Sequence, residues 1–228
     1  MNLYQKYILN RVKTIHVTSE IEKENLKIIS TNKNIKLIPH GTSEVNLQNK
    51  KIFNGVKKKA LFFSRLHEKK GILELIETWL KINNSEWELH IYGPDYGNYR
   101  KKIIEKTKGN KSILVFDAVF ENKDKIFQNY DLFLLPSKSE NFGYVVLEAM
   151  QYGLPILTTN TTPWTMLEKK NIGWIIDSNL KNFEITLKKI LSATKEEFET
   201  KSINAINFSK EYYWDNLKTK YFELYTKN

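Results

Sequence analysis

The stretch "DLFLLPSKSENFGYVVLEAMQYGLPILTT", residues 131–159, has the pattern of a strand, a turn, a helix and a second strand. The apolar run DLFLL comes first, and the helical pattern GYVVLEAMQYG follows a polar turn. Gly153 and Pro155 end this helix and begin the strand PILTT. Both strands are apolar at successive positions, which is expected where helices cover both faces of a sheet. The stretch therefore predicts one β–α–β unit of a parallel sheet.

The same alternation continues on both sides of this stretch. Strand-like runs occupy residues 59–64, 87–93, 112–116 and 173–177. Helical patterns occupy residues 71–82, 97–107, 122–130 and 163–170, where Thr162 has the place of an N-cap and Pro163 that of the first helical residue. Strands that alternate with helices in this way predict an α/β fold with a doubly wound parallel sheet.

Shorter segments flank this main domain, which we assign to residues 59–205. Residues 1–41 have the pattern of a helix followed by one β–α–β unit, and the polar, lysine-rich residues 42–58 are typical of a linker. Residues 206–228 predict a C-terminal helix with many aromatic side chains. Two short strands bury too little apolar surface to form a domain alone. We therefore expect residues 1–41 to be an incomplete part of a second domain.

Composition restricts the class of protein. The 228 residues include no cysteine, which excludes a disulfide framework and a thiolate metal site and suits a cytoplasmic protein. No apolar run is long enough for a signal peptide or a membrane-spanning helix. The formal net charge of +10 suits an anionic partner, such as a nucleotide diphosphate, a nucleic acid or an acidic membrane face. Lysine clusters are also common on solvated surfaces, so charge alone does not identify the partner.

The candidate binding residues lie where predicted strands end. Ligands of open parallel sheets bind outside the carboxyl ends of the strands, and the turn at 137–143 lies at such an end. The backbone N–H groups of Asn141, Phe142 and Gly143 precede a helix and could hold an anion or sugar oxygens. Glu148, one to two turns into this helix, could accept two hydrogen bonds from a diol.

Two cations follow the first strand of the main domain. The guanidinium of Arg65 and the ammonium of Lys70 would form a suitable clamp for a diphosphate leaving group. Each acidic or basic candidate also has a structural interpretation. Arg65 and Lys70 could be ordinary loop cations, Glu140 could cap the helix, and Glu148 could pair with a structural lysine or arginine.

Other chemistries lack their motifs. The sequence has no P-loop, no Gly-x-Ser-x-Gly nucleophile elbow and no histidine or aspartate cluster spaced for a metal. His16 is expected to be a core histidine and His40 a loop residue. Glu140 and Glu148 could suggest a glycosidase, but the neighbouring cations favour a phosphorylated donor.

Taken together, these motifs resemble the retaining GT-B glycosyltransferases of family 4, also called group 1. "SENFGYVVLEAM" matches the family's Glu-x7-Glu motif at Glu140 and Glu148, and "SRLHEKKG" matches its Gly-Arg-Leu…Glu-Lys-Gly turn with Ser64 in place of glycine. "LIPHG" is similar to the family's Ile-Pro-Asn-Gly, and "TTPWTMLEKKNIGWIID" resembles lipopolysaccharide and capsule enzymes. The resemblance implies that residues 59–205 form a Rossmann-like donor domain and that residues 206–228 cross back to the N-terminal part.

The resemblance also implies a role for each candidate residue. Arg65 and Lys70 would neutralise the leaving diphosphate, Glu148 would hold the ribose, and Glu140 would position the sugar. The remaining donor-binding positions implied by the resemblance are Ser64, Gly93, Val119, Asn141, Phe142 and Gly143. Transfer in the family retains the anomeric configuration and needs no obligate metal, so neither a metal nor a cofactor is expected.

The resemblance further implies substrates and partners. The donor would be a nucleotide-diphosphate sugar and the acceptor a glycan or a lipid-linked glycan of the cell surface. Because only part of an N-terminal domain is present, we expect a truncated or split enzyme, or a partner chain that supplies the missing domain. The location would be cytoplasmic, with at most peripheral contact at the inner face of the membrane. The alternative is a non-catalytic nucleotide-sugar-binding or assembly subunit, and nucleic acid is not expected as a partner.

Overall fold

The computed structural model describes residues 3–47, 50 and 52–226. Its N-terminal unit consists of helix α1 (Leu3–Arg11), strand β1 (Ile15–Val17), helix α2 (Glu20–Ile29) and strand β2 (Ile35–Leu37). The two strands pair in parallel and form a small sheet of their own. Ser19 begins α2 as its N-cap, because its side chain accepts a hydrogen bond from the N–H of Glu22. The predicted helix and β–α–β unit are thus confirmed.

The remaining strands form one parallel sheet. They are β3 (Lys58–Phe63), β4 (Trp87–Tyr92), β5 (Ile113–Phe116), β6 (Leu132–Leu135), β7 (Ile156–Thr159) and β8 (Gly173–Ile176). The helices that connect or follow them are α3 (Ile72–Ile82), α4 (Tyr99–Thr107), α5 (Lys123–Phe127), α6 (Tyr144–Gln151), α7 (Phe183–Leu191), α8 (Lys195–Ser209) and α9 (Trp214–Thr226). The predicted α/β fold with a doubly wound parallel sheet is confirmed.

The strand order places a switch point at the centre of the sheet. The order is β5-β4-β3-β6-β7-β8, so the chain first moves outward from β3 to β5 and then outward in the other direction from β6 to β8. The two halves meet where Ala60 and Leu61 of β3 pair with Leu132 and Phe133 of β6. A crevice opens at such a point because the connections on its two sides leave in opposite directions.

The core explains why the central strands are continuously apolar. All four residues of β6 are fully buried, since side chains on both of its faces are covered. Helix α3 buries Ile72, Leu75, Ile76 and Trp79, the spacing of one apolar helical face. The sequence pattern therefore determined both the strands and the faces of the helices that pack on them.

The predicted helix at residues 163–170 is wrong. The segment after β7 is a series of turns, in which the N–H of Leu167 bonds to the carbonyl of Trp164 and that of Asn171 to the carbonyl of Glu168. The Thr162 hydroxyl donates back to the carbonyl of Thr159 at 3.0 Å, so this side chain does not serve as an N-cap. Trp164 in this segment is buried against Phe142 and Tyr212, and such tertiary packing can override the local helix propensity.

Two segments outside the large sheet, the predicted linker at residues 42–58 and helix α9, make specific contacts with the rest of the chain. The Tyr221 hydroxyl of α9 donates to the carbonyl of Pro39 at 3.1 Å, and its ring meets that of His16 edge-on. In the segment predicted as a linker, the N–H of Phe53 donates to Asp131 at 2.7 Å, and the Phe53 ring packs on Trp87. The contacts of Tyr221 hold α9 against the N-terminal unit, and those of Phe53 hold the segment after β2 against the large sheet. Among the described residues, no helix is long and apolar enough to cross a membrane.

Candidate functional site

A cleft of about 560 Å³ opens at the switch point of the large sheet. One wall is the loop after β3, and the opposite wall is the turn after β6 together with the start of α6. The lining residues are Arg65, His67, Lys69, Lys70, Tyr96 and residues 139–145. Three cations and one carboxylate line the cleft, which therefore suits an anionic ligand.

Lys70 reaches this cleft because the loop after β3 is held in a short 3₁₀ turn, Glu68–Lys70. The His67 ring accepts a hydrogen bond from the N–H of Lys69 at 3.1 Å and so caps this turn. The turn ends at Gly71, whose φ of 66° lies in the left-handed region that favours glycine. A Cβ there would stand 2.2 Å from the carbonyl oxygen of Pro136, so only glycine allows this loop to approach the end of β6 so closely.

Lys70 and Glu140 form an ion pair across the cleft. The Lys70 Nζ donates to the Glu140 Oε1 at 2.6 Å, and the two side chains are only 11% and 10% exposed. Seventy positions separate these residues in the sequence, and the pairing of β3 with β6 brings them together. The contact joins the predicted diphosphate cation to the predicted sugar carboxylate. A buried pair of this kind is energetically significant, because either charge would be costly without the other.

The turn that precedes α6 and the first residues of the helix line the cleft. Gly143 has a φ of 70° and is the residue before the helix, while the Phe142 ring is buried beneath it. The N-terminal unit contacts this turn directly. Ser19 donates its hydroxyl hydrogen to the carbonyl of Asn141 at 3.1 Å, and the His40 ring meets Phe142 edge-on at 5.0 Å.

Glu148 lies farther along α6 and is not among the residues that line this cleft. Its Oε1 accepts a hydrogen bond from the Lys123 Nζ at 2.8 Å, and the Lys123 ammonium also lies over the Phe63 ring. This is the pairing with a lysine that the sequence had left open. The Glu148 side chain is 18% exposed.

Ser64 and Gly93 lie side by side at the ends of β3 and β4. The Ser64 N–H donates to the carbonyl of Tyr92 at 3.1 Å, and a Cβ on Gly93 would stand 1.8 Å from the Ser64 carbonyl oxygen. Glycine at position 93 is therefore required for this close backbone approach. Val119 is partly buried against the core in the loop after β5. Among the predicted residues, Arg65, Lys70, Glu140, Asn141, Phe142 and Gly143 share the cleft, whereas Ser64, Gly93, Val119 and Glu148 are not among its lining residues.

A buried polar chain lies beneath the end of β4. The His90 Nδ1 lies 2.8 Å from the Tyr130 hydroxyl, which donates to the Tyr92 hydroxyl at 3.2 Å. The His90 Nε2 lies 3.2 Å from Glu88. Burial lowers the pKa of His90 below its ordinary value, although Glu88 acts in the opposite direction. The same burial raises the pKa of Tyr130.

Sequence reasoning missed several residues of the site. His67 and Lys69 lie within the quoted turn motif and were identifiable by their position. Tyr96 places its ring 5.8 Å from the Arg65 guanidinium, a contact that joins two loops after different strands. Lys123 was hidden for the same reason, because its partner Glu148 lies 25 residues away.

The family is established by a match over residues 43–207 to the family described as "Glycosyl transferases group 1". The chain belongs to the group 1 glycosyl transferases. The match includes the cleft, its opposed walls and the whole large sheet.

The curated relatives of this group 1 chain are named for different reactions. It is 27% identical over 173 residues to a probable sucrose-phosphate synthase of Thermosipho melanesiensis, covering 72% of the chain and 40% of the relative. It is 25% identical over 175 residues to a GDP-mannose:cellobiosyl-diphosphopolyprenol alpha-mannosyltransferase of Xanthomonas oryzae pv. oryzae, covering 72% of the chain and 46% of the relative. Other matches include enzymes of O-antigen and lipopolysaccharide biosynthesis. The chain thus spans less than half the length of these two relatives.

Solved structures share the fold. A mutant of S. aureus TarM, solved in complex with fondaparinux, alpha-GlcNAc-glycerol and UDP, superimposes with a TM-score of 0.81. The two chains are 18% identical, and the match covers 99% of this chain and 47% of TarM. At 18% identity, this likeness shows a shared fold and carries no statement about a shared substrate.

Proposed function

We propose that this group 1 chain binds a nucleotide-diphosphate sugar and takes part in transferring the sugar to a glycan acceptor with retention of configuration, as in family 4. The observation that carries the proposal is the cationic cleft at the switch point, where Lys70 meets Glu140 and Arg65 lies beside them. A diphosphate carries charge that such a cleft attracts, and more charge develops on it as the glycosidic bond breaks.

Each predicted residue has a place in this proposal. Arg65 and Lys70 bind the diphosphate, and Glu140 positions the sugar together with the N–H groups at the start of α6. Glu148 accepts the ribose hydroxyls, while the ammonium of Lys123 orients its carboxylate. In this proposal the phosphates lie near the backbone at Ser64 and Gly93, and the base lies near the loop at Val119.

The proposed reaction needs only groups from the protein and its substrates. The acceptor hydroxyl oxygen bonds to the anomeric carbon as the bond from that carbon to the diphosphate oxygen breaks. The proton of the hydroxyl passes to the leaving phosphate. Arg65, Lys69 and Lys70 supply positive charge along the cleft, and we propose that neither a metal nor a cofactor is needed.

We propose that the acceptor is a cell-surface or lipid-linked glycan, bound by a domain or partner chain that covers the N-terminal unit. The exposed aromatic rings of α1 and α9 support this proposal, because such rings are enriched at interfaces. They are Tyr4, Tyr7, Trp214, Phe222 and Tyr225. The enzyme would act in the cytoplasm, with at most peripheral contact with the membrane.

Donor binding is the direct test. Thermal unfolding of the chain is measured with UDP, GDP and ADP and with their sugar conjugates. A ligand at about 100 times its Kd should add roughly 2.7 kcal/mol to the free energy of unfolding. Loss of this shift in Arg65→Ala, with unfolding of the free protein unchanged, would assign the binding to the cleft. If none of the six ligands raises the unfolding temperature, the proposal is wrong.

A further inference from the structure

The indole N–H of Trp164 is buried beneath the turn at residues 140–143 and has no hydrogen-bond acceptor in the described part of the chain. Trp164 is 1% exposed, and its ring packs on those of Phe142 and Tyr212 at centroid distances of 5.2 and 5.5 Å. A buried N–H without an acceptor is costly and is retained where it has a use. The other buried indoles behave differently, since Trp79 and Trp87 both donate to oxygen atoms.

The Trp164 N–H lies next to the side chain of Glu140. The Trp164 Nε1 is 3.1 Å, and the Glu140 Cγ 3.5 Å, from the single point where a Cβ on Gly143 would stand. The carboxylate begins one bond beyond this Cγ. The indole nitrogen and the Glu140 side chain therefore border the same space beside Gly143. Because Gly143 has no side chain, the path between the two groups stays open.

Glu140 has one strong donor in the structure, the ammonium of Lys70. A nucleotide diphosphate in the cleft would compete for this ammonium. A carboxylate that is 10% exposed and has lost its donor tends to take up a proton. We propose that Trp164 is a positioning residue whose N–H replaces Lys70 as the donor to Glu140 when the diphosphate binds. Glu140 then stays ionised and ready to accept sugar hydroxyl hydrogens. The inference rests on the proposed function, because it requires a diphosphate in the cleft.

Other groups around Glu140 could also titrate. The charged and titratable side chains that line the same cleft are Arg65, His67, Lys69, Lys70, Tyr96 and Tyr144. His40, from the N-terminal unit, packs on Phe142 in the same turn. Tyr212 packs on both Phe142 and Trp164, and burial raises its pKa. These groups are common to the proteins compared below, and the Glu140→Gln background shows which proton uptake belongs to Glu140.

The test measures protons taken up on nucleotide binding. Isothermal titration with UDP, GDP and ADP, in buffers of different ionisation enthalpy between about pH 5.5 and 7.5, gives the affinity and the number of protons bound. Trp164→Phe removes the N–H. We expect about tenfold weaker nucleotide binding near neutral pH, as for one lost hydrogen bond to a charged group. We also expect proton uptake that the wild type lacks, and a smaller affinity difference as the pH falls.

Two controls isolate the N–H and its partner. Trp79→Phe removes a buried indole N–H elsewhere and should leave proton uptake unchanged. In a Glu140→Gln background, which has no carboxylate to titrate, Trp164→Phe should not change proton uptake further. Should Trp164→Phe fail to fold, benzothienylalanine at position 164 keeps the ring size without the N–H. If nucleotide binds but proton uptake is equal in wild type and Trp164→Phe, or if the extra proton uptake of Trp164→Phe persists with Glu140→Gln, this inference is wrong. If the wild type binds none of the nucleotides, the proposed function fails as well.

Discussion

Removing one partner of the ion pair between Lys70 and Glu140 at a time should lower the free energy of unfolding. In Lys70→Met the carboxylate loses its cationic partner and keeps at most the neutral N–H of Trp164, and in Glu140→Met the ammonium loses its acceptor. Breaking a fully buried pair costs about 3–5 kcal/mol. Here each side chain is about one-tenth exposed, so we expect the lower end, about 3 kcal/mol. At about 2–4 °C per kcal/mol for a chain of this size, the unfolding temperature should fall by roughly 6–12 °C.

The double variant separates the pair from its surroundings. Two methionines of similar volume leave no unpaired charge, so Lys70→Met with Glu140→Met should unfold within about 1 kcal/mol of the wild type. Urea unfolding at neutral pH, without ligand, gives the three free energies and hence the coupling energy.

A second lysine pair provides the control. Lys138 and Glu74 are joined at 2.8 Å, similar to the 2.6 Å of the cleft pair, but their side chains are 40% and 33% exposed. Lys138→Met should cost at most about 1 kcal/mol, because solvent screens an exposed pair. If Lys70→Met costs no more than Lys138→Met, or if the double variant loses the sum of the two single losses, the energetic argument from burial is wrong.

Four further predictions concern the site and the sheet that supports it. Glu148→Gln should weaken nucleotide-sugar binding by about 1.5–3 kcal/mol with the fold intact, and calorimetry that finds equal affinity would contradict the ribose role. Arg65→Ala should lower kcat, measured in an active assembly, more than it raises the donor Kd, because charge grows on the diphosphate in the transition state; equal losses would mean that Arg65 only binds. Gly93→Ala should lower the free energy of unfolding by more than about 1–3 kcal/mol in urea, since its Cβ would stand 1.8 Å from the Ser64 oxygen; an unchanged urea midpoint would argue against this close approach. Because burial lowers the pKa of His90, the unfolded chain binds more protons than the folded chain below about pH 6.5. The free energy of unfolding should therefore fall as the pH drops through this range, and in His90→Gln the unfolding temperature should depend less on pH. If the unfolding temperature of the variant falls with pH as steeply as that of the wild type, this assignment is wrong.

The sequence by itself determined the elements and their order. Continuously apolar runs such as residues 132–135 predicted buried strands, and the helical pattern of residues 71–82 predicted α3. These features depend on neighbours within about ten residues, so a linear pattern contains them. The helix predicted at residues 163–170 failed because a buried Trp164 decided the backbone path, which local propensity does not describe.

Only the tertiary structure decided which charges meet. Arg65, Lys70 and Glu140 were identifiable as candidates, but the contact of Lys70 with Glu140 follows from the pairing of β3 with β6. Likewise, the sequence left open a structural partner for Glu148, and the position of α5 supplies Lys123. The unpaired N–H of Trp164 beside Gly143 has no signal in the sequence at all. Such contacts join residues that are distant in the chain, and they depend on strand order and side-chain direction, which spacing along the sequence does not encode.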